Sequence, residues 1–174
     1  MDIRFAIEDT RFNFRAAAVW IIDDHVLLHR QAHESHWALP GGGVEINEST
    51  PQTIVREMKE ELGVKVKIDH LPWIVENFFT YNDSPYHEIG YYYQVSAIQE
   101  EELFQTKPFH GKEGERLVYQ WIPIAHLGDI NLRPSFLIEG LTSIPSYTKH
   151  RVEEETSMGT LNRADWYLKH IDIK

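Results

Sequence analysis

The chain has 174 residues, no cysteine, and 27 acidic against 17 basic side chains, for a formal charge of −10. This length suggests one domain of ordinary size, and the composition excludes disulfide scaffolds, thiolate metal sites and thiol catalysis. The charge argues against a nucleic-acid binder, which needs a basic footprint, and against docking on anionic lipid. Apolar residues at 42% and aromatics at 12% are enough for a packed core. The first twelve residues carry no apolar run, and the longest one, Ala16–Ile22, falls far short of the ~20 residues of a membrane span. The expectation is a cytoplasmic, membrane-free protein. Its charge poses a question, because an anionic ligand would need something positive to hold it.

In chain order, residues 14–30 read as a β-hairpin: Phe14–Ile22 extended, Asp23-Asp24-His25 as the turn, and Val26–Arg30 returning. Pro40-Gly41-Gly42-Gly43 then breaks regular structure. Residues 51–62 read as a helix with Thr50 as N-cap, Pro51 at the first helical position and Gly63 just past the end. Short strands are expected at Val64–Ile68 and Trp73–Thr80. A polar loop, Tyr81–His87, leads into Glu88–Ile98, and a charged loop over 99–115 precedes Leu117–Ile122. Helical turns follow over 123–141, interrupted by Pro134. From Thr142 the chain turns polar, passes Glu153-Glu154-Glu155, and ends in an amphipathic Leu161–Ile171. Strands on both sides of a helix point to a mixed sheet with helices packed on it.

The chemically informative stretch is Arg56-Glu57-Met58-Lys59-Glu60-Glu61-Leu62-Gly63. At ~100° per residue, Ile54, Val55, Met58 and Leu62 form an apolar stripe, while Glu57, Glu60 and Glu61 share an adjacent arc. These three are i, i+3 and i, i+4 neighbours, where like charges cost roughly 0.2–0.5 kcal/mol per pair. They also sit near the negative end of the helix dipole. A hard divalent cation would relieve the repulsion, and oxygen-only donors suit Mg²⁺ or Mn²⁺. Taken alone, a Glu-rich helix is more often a solvated face, here with Arg56 and Lys59 in partial compensation.

The preceding loop decides against that plainer reading. Glu48 lies eight residues before Arg56, and Gly42 six before Glu48. Gly42–Val64 therefore satisfies G-x5-E-x7-R-E-U-x-E-E-x-G-U, with Met58 and Val64 in the bulky aliphatic U positions. This segment resembles the signature of the Nudix hydrolases, and Trp37-Ala38-Leu39-Pro40-Gly41-Gly42 resembles the family's approach to it. Element order fits from about residue 12 to 140. The resemblance implies an α/β Nudix fold, an α/β/α sandwich around a mixed β-sheet, in a domain over residues 1–141; it does not cover the polar stretch 142–174, which reads as a C-terminal extension, docked or partly mobile. It also implies a divalent-metal-dependent hydrolase that cleaves the pyrophosphate bond of a nucleoside diphosphate linked to another moiety: a nucleotide, a sugar or a dinucleoside polyphosphate. By position, Glu57, Glu60, Glu61 and the Gly41 carbonyl look like the metal ligands, for Mg²⁺ with Mn²⁺ as substitute. Arg56 looks like the residue that orients a glutamate by ion pairing, and Glu48 like a supporting carboxylate. Either Glu60 or Glu61 would take the proton of the attacking water. Gly42 and Gly63 would permit the loop and the helix exit.

Substrate choice should lie outside this box. Trp73, Phe78, Phe79, Tyr81, Tyr86 and Tyr91-Tyr92-Tyr93 follow it, and aromatics can stack on a base, although each is first of all core material. Tyr81 is the seventeenth residue after Val64, which resembles the diadenosine-polyphosphate subgroup. Thr80 stands where the ADP-ribose subgroup tends to carry proline. Arg30 could meet a phosphate. Glu113 and Glu115 could supply a later carboxylate, with a solvated loop as the plainer reading; Arg30, Tyr81 and Glu115 are the substrate-binding candidates. His25, His29, His33 and His36 have near-helical spacing but fall on a turn and a strand, so no transition-metal site is expected there. His87-Glu88 reads as structural or loop-exposed. Two rivals stand beside the hydrolase. A ligand sensor or interaction module without turnover would tolerate a degraded box, and this one is intact. The isomerase branch of the fold relies on a cysteine the chain lacks. The extension would serve as a lid or as the arm of a homodimer.

Overall fold

The computed structural model describes residues 1–98 and 104–155. The expected amphipathic segment Leu161–Ile171 and the acidic run Glu100-Glu101-Glu102 lie outside the described residues. Strand β1 (Arg4–Ile7) is followed by the predicted hairpin of β2 (Thr10–Ile22) and β3 (His25–Gln31). Asp23 and Asp24 make its two-residue turn with φ of 46° and 59°. That is the left-handed backbone which matches the twist of paired strands. Two short strands, β4 (His36–Trp37) and β5 (Gly41–Gly43), lead to helix α1 (Thr50–Leu62).

Helix α1 begins one residue earlier than its sequence signals. Ser49 is the N-cap rather than Thr50, and Gln52 Oε1 accepts the Ser49 backbone N–H at 2.9 Å. Gly63 closes the helix as predicted, at φ 78°. The buried stripe runs through Thr53, Ile54, Met58, Glu61 and Leu62, and Val55 is exposed. On the wheel Glu61 stands only about 20° from Ile54. The packed face therefore leans toward the glutamates and carries Glu61 inward with it.

The two strands expected at Val64–Ile68 and Trp73–Thr80 are one long strand, β6 (Val66–Tyr81). Its register slips between Ile68 and Trp73, around Pro72. A proline cannot donate to the ladder, and a bulge accommodates it without ending the strand. The predicted polar loop contracts to a turn at Asn82 and Asp83, both left-handed, so β7 (Ser84–Ala97) starts at once. Then come β8 (Leu117–Pro123), β9 (Asn131–Leu132), the single turn α2 (Leu137–Gly140) and β10 (Lys149–Glu154).

The main sheet runs β10-β6-β7-β2-β3-β8, with β1 and β5 also paired to β2. β2 lies parallel to β7 and β10 parallel to β6, while the other neighbours are antiparallel, so the sheet is mixed. β2 explains the longest apolar run in the chain. Ala16, Ala18 and Trp20 pack into the core that holds Ile54, Met58 and Leu62 of α1. Ala17 and Val19, pointing the other way, join Trp73, Phe136 and Leu137 in a second core. A strand covered on both faces needs no polar alternation.

The extension is partly built into the sheet. β10 covers the edge of β6, the Thr148 hydroxyl donates to the Leu71 carbonyl at 2.7 Å, and the Arg151 guanidinium lies 4.7 Å from the Phe136 ring centroid. An uncovered strand edge is a template for pairing with another chain. Truncation after Ser146 is therefore expected to lower Tm and to produce concentration-dependent association in sedimentation velocity. A truncated protein that melts and sediments as the full chain does would show that β10 adds nothing to the edge.

Candidate active site

The cleft lies where α1 meets the glycine strand β5. Gly41 has φ of 140°, and a Cβ there would run into the Ala16 carbonyl of β2. A Cβ on Gly42 would overlap the Glu57 carboxylate. The β2 backbone and the positive φ require glycine at Gly41, while at Gly42 the close neighbour is the Glu57 side chain on the acidic face of α1.

Arg56 organises that face. Its Nε and Nη2 donate to the two oxygens of Glu48 at 2.8 and 3.0 Å, a bidentate pair. Nη2 also donates to the Gly43 carbonyl at 3.1 Å, and Nη1 to Glu57 Oε1 at 2.6 Å and Glu60 Oε2 at 3.3 Å. Glu48 further accepts the Thr53 hydroxyl at 2.8 Å and the Glu45 backbone N–H at 3.1 Å. The Arg56 hydrogen bonds dominate its environment and hold its carboxyl down at about 2, against an ordinary 4.5.

The three helix glutamates, expected to converge, occupy different environments. Glu57 and Glu61 line the cleft together with Gly41, Gly42 and Gly43, whereas Glu60 does not line it and is exposed. Glu61 is 5% exposed and its Oε2 has no hydrogen-bond partner. Burial first, then the Glu57 charge, pushes its carboxyl up to about 7, with the Arg15 guanidinium opposing. The Tyr119 hydroxyl, itself buried, interacts with Glu61 and helps hold its charged form, although the two make no hydrogen bond of full geometry. Among the described residues no three acidic or imidazole side chains gather tightly enough to enclose an ion by themselves. Two carboxylates beside a glycine backbone form an oxygen-only donor set, and the orphaned Glu61 oxygen is an atom that a hard divalent cation would satisfy. On that count the residues fit such an ion.

The cleft has a volume of about 700 Å³. Arg30 lines it, but its Nη1 donates to the carbonyls of Gln31, Ala32 and Glu34, and its guanidinium lies 5.2 Å from the Trp37 ring centroid. Its visible work is to brace the turn after β3. Tyr81 also lines the cleft, and its hydroxyl donates to Glu34. Glu115 is exposed in the 3₁₀ turn Gly114–Arg116 and does not line the cleft; Glu113 does, paired with Arg116. The turn carries position 113, rather than 115, toward the cavity.

The structure adds residues that sequence reasoning passed over. Arg15 lies in the cleft and donates to the Leu39 carbonyl at 2.9 Å. His29 is buried against Tyr119, and burial followed by the Arg15, Arg116 and His36 charges lowers its pKa to about 3, so the ring stays neutral. Glu88, read as structural or loop-exposed, is a buried cleft residue, and Asn77 stands beside it.

The NUDIX domain family model matches residues 12–138. An RNA pyrophosphohydrolase from Hydrogenovibrio crunogenus is 24% identical over 68% of this chain and 78% of its own length. A MutT-like protein from Streptomyces ambofaciens is 36% identical and a putative ADP-ribose pyrophosphatase from Bacillus subtilis 32%, over 32% and 42% of this chain. The chain spans about a third of each of those two relatives. Among solved structures, a UDP-X diphosphatase superposes with a TM-score of 0.56 over 84% of this chain and 68% of its own, at 21% identity. A MutT protein from Bacillus halodurans gives 0.55 over 79% and 89%, at 18% identity. The chain belongs to the Nudix hydrolase family, and its fold is the α/β Nudix fold.

The Glu48–Arg56 pair carries a pH signature. Because the folded pKa of Glu48 is depressed, its stabilisation is full above about 4.5 and is lost as the pH falls toward about 2. Glu48→Gln is expected to lower Tm at neutral pH, and the gap to wild type to narrow through that acid window. Thermal melts at stepped pH check this; a gap independent of pH would contradict it.

Proposed function

We propose that this protein hydrolyses the pyrophosphate bond of a nucleoside diphosphate linked to another moiety, in the cleft between α1 and β5. The observation that carries the reading is Glu57 beside the buried Glu61, whose Oε2 has no hydrogen-bond partner, against a glycine strand held close to β2 at Gly41. The printed names of the relatives, an RNA pyrophosphohydrolase and a putative ADP-ribose pyrophosphatase, support the reaction class. Glu57, Glu61 and the Gly41 carbonyl would hold a divalent cation, Mg²⁺ with Mn²⁺ as substitute, and Glu60 would stand at the rim. Such a cation neutralises the diphosphate and makes water a better nucleophile at neutral pH.

The chain's own side chains do the rest. Arg56 fixes the Glu57 carboxylate through its Nη1, so the donor faces the cleft rather than Glu60. Glu48 keeps Arg56 in place and takes no direct part. Arg15 and Arg116, lining the same cleft, offer positive charge to phosphate oxygens. His29, held neutral, adds no charge that would compete with the cation. Glu61 would serve either as a ligand to the cation or as the acceptor of the water proton, two roles that compete for its one unpaired oxygen.

A panel of dinucleoside polyphosphates, ADP-ribose, nucleotide sugars and nucleoside triphosphates, each with Mg²⁺ and with chelator, tests the reading. Metal-dependent turnover that yields a nucleoside phosphate is the expected result. Glu57→Gln and Glu61→Gln should each lower kcat by at least ~100-fold on the substrate so found. No turnover on any member, or variants that keep wild-type rates, would favour a ligand sensor instead.

A further inference from the structure

One part of the cleft floor has no task in diphosphate hydrolysis. Asn77 of β6 pairs in register with Glu88 of β7, which pairs in register with Asn13 of β2. The three therefore form a row on one face of the sheet, and all three line the cleft. Asn77 is 6% exposed and Glu88 8%. Asn13 Nδ2 donates to Glu88 Oε2 at 2.6 Å, while Asn77 Oδ1 is buried with no hydrogen-bond partner. Burial works against the ionised form of Glu88, and the Arg15 charge and the Asn13 bond work for it.

A row built only for stability would have closed its hydrogen bonds or been apolar, as Val75 is two residues before Asn77. Instead two acceptors stand side by side. A carboxylate has about four lone-pair sites, and Asn13 is the one hydrogen-bond donor to Glu88 among the described residues. Register partners stand ~4.5–5.5 Å apart at Cβ, so the Glu88 carboxylate and Asn77 Oδ1 can meet two neighbouring donors on one ligand. The next row toward the hairpin end is aromatic. Phe79 and Tyr86 lie on the same face, stacked at 5.0 Å and 12°, and both line the cleft. Position matters too. Asn13 is four residues along β2 from Ala17, the register partner of Gly41, a span of ~13 Å. A diphosphate joined through a sugar to a base bridges a span of that kind.

We propose that this row reads the group carried on the diphosphate, and that the group is a nucleobase with two adjacent N–H donors on one edge, as guanine has. The assignment rests on the diphosphate reading of the same cleft. Sugar hydroxyls are donors as well, but the flat Phe79–Tyr86 pair favours a planar ring, which stacks on aromatic side chains. A base lacking one of the two donors leaves a buried acceptor unpaired, and such a loss discriminates strongly.

Calorimetry with Mg²⁺ present separates the possibilities. GDP is expected to bind about tenfold or more tighter than IDP, which lacks the 2-amino group. Glu88→Gln and, separately, Asn77→Ser, each checked for folding by thermal melting, should shrink that preference to below about threefold. GDP and IDP binding within twofold, UDP-glucose binding tighter than GDP, or a preference that survives both substitutions would overturn the inference. Inorganic pyrophosphate probes the metal end alone. If it binds while GDP and IDP tie, only this inference falls. If it fails to bind, the diphosphate reading falls, and the GDP-to-IDP ratio still decides the base.

Discussion

The site depends on one guanidinium. Arg56 contacts Glu48 before the helix, Glu57 and Glu60 on it, and the Gly43 carbonyl of the neighbouring strand. Four attachments on a planar fork fix its position, which a lysine could not reproduce. The helix needs this tie, because its glutamates repel one another and sit at the wrong end of the dipole. Arg56 removes part of that cost at Glu57 and Glu60 and none at Glu61. The residual strain sits on one buried carboxylate, which is where a functional group would be kept poised.

Packing explains why Glu61 has no escape. Helix α1 lays Ile54, Met58 and Leu62 against the core that β2 shares, and Glu61 stands at the border of that arc, about 20° beyond Ile54. On the other face of the same strand, Ala17 and Val19 are held by the second core. With both faces of β2 covered, the open side of Glu61 is the cleft that it lines. The net charge of −10 also takes on a different meaning. Arg4, Arg15, Arg30, Arg116 and Arg133 line the cleft beside its acidic residues, so positive charge stands near the place a phosphate would occupy.

How much was legible follows from the range of each signal. The hairpin and the exit of α1 are written in neighbours within a few residues, and those readings held in outline; of the helix glutamates, Glu57 and Glu61 line the cleft and Glu60 does not. Thr50 and Val55 failed at the scale of one residue, where tertiary packing chooses among nearly equivalent positions: the helix starts at Ser49 and rolls its glutamate side inward. Val64–Ile68 and Trp73–Thr80 read as two strands because a bulge cannot be seen without the partner strand. Asn13, Asn77 and Glu88 were invisible as a group, since only the register of β6, β7 and β2 brings positions 13, 77 and 88 into one row. Arg15 and Glu113 reach the cleft for the same long-range reason.

The central claim is that Glu61, buried with its Oε2 unpaired, is held for a divalent cation in company with Glu57. Isothermal titration of Mg²⁺ into the substrate-free protein tests it directly, beside the same titration of the Glu61→Gln variant, which keeps shape and loses charge. The account predicts saturable binding to the wild type and at least ~10-fold weaker binding to the variant, the order of loss expected when a charged ligand goes. Identical isotherms for the two proteins would contradict it.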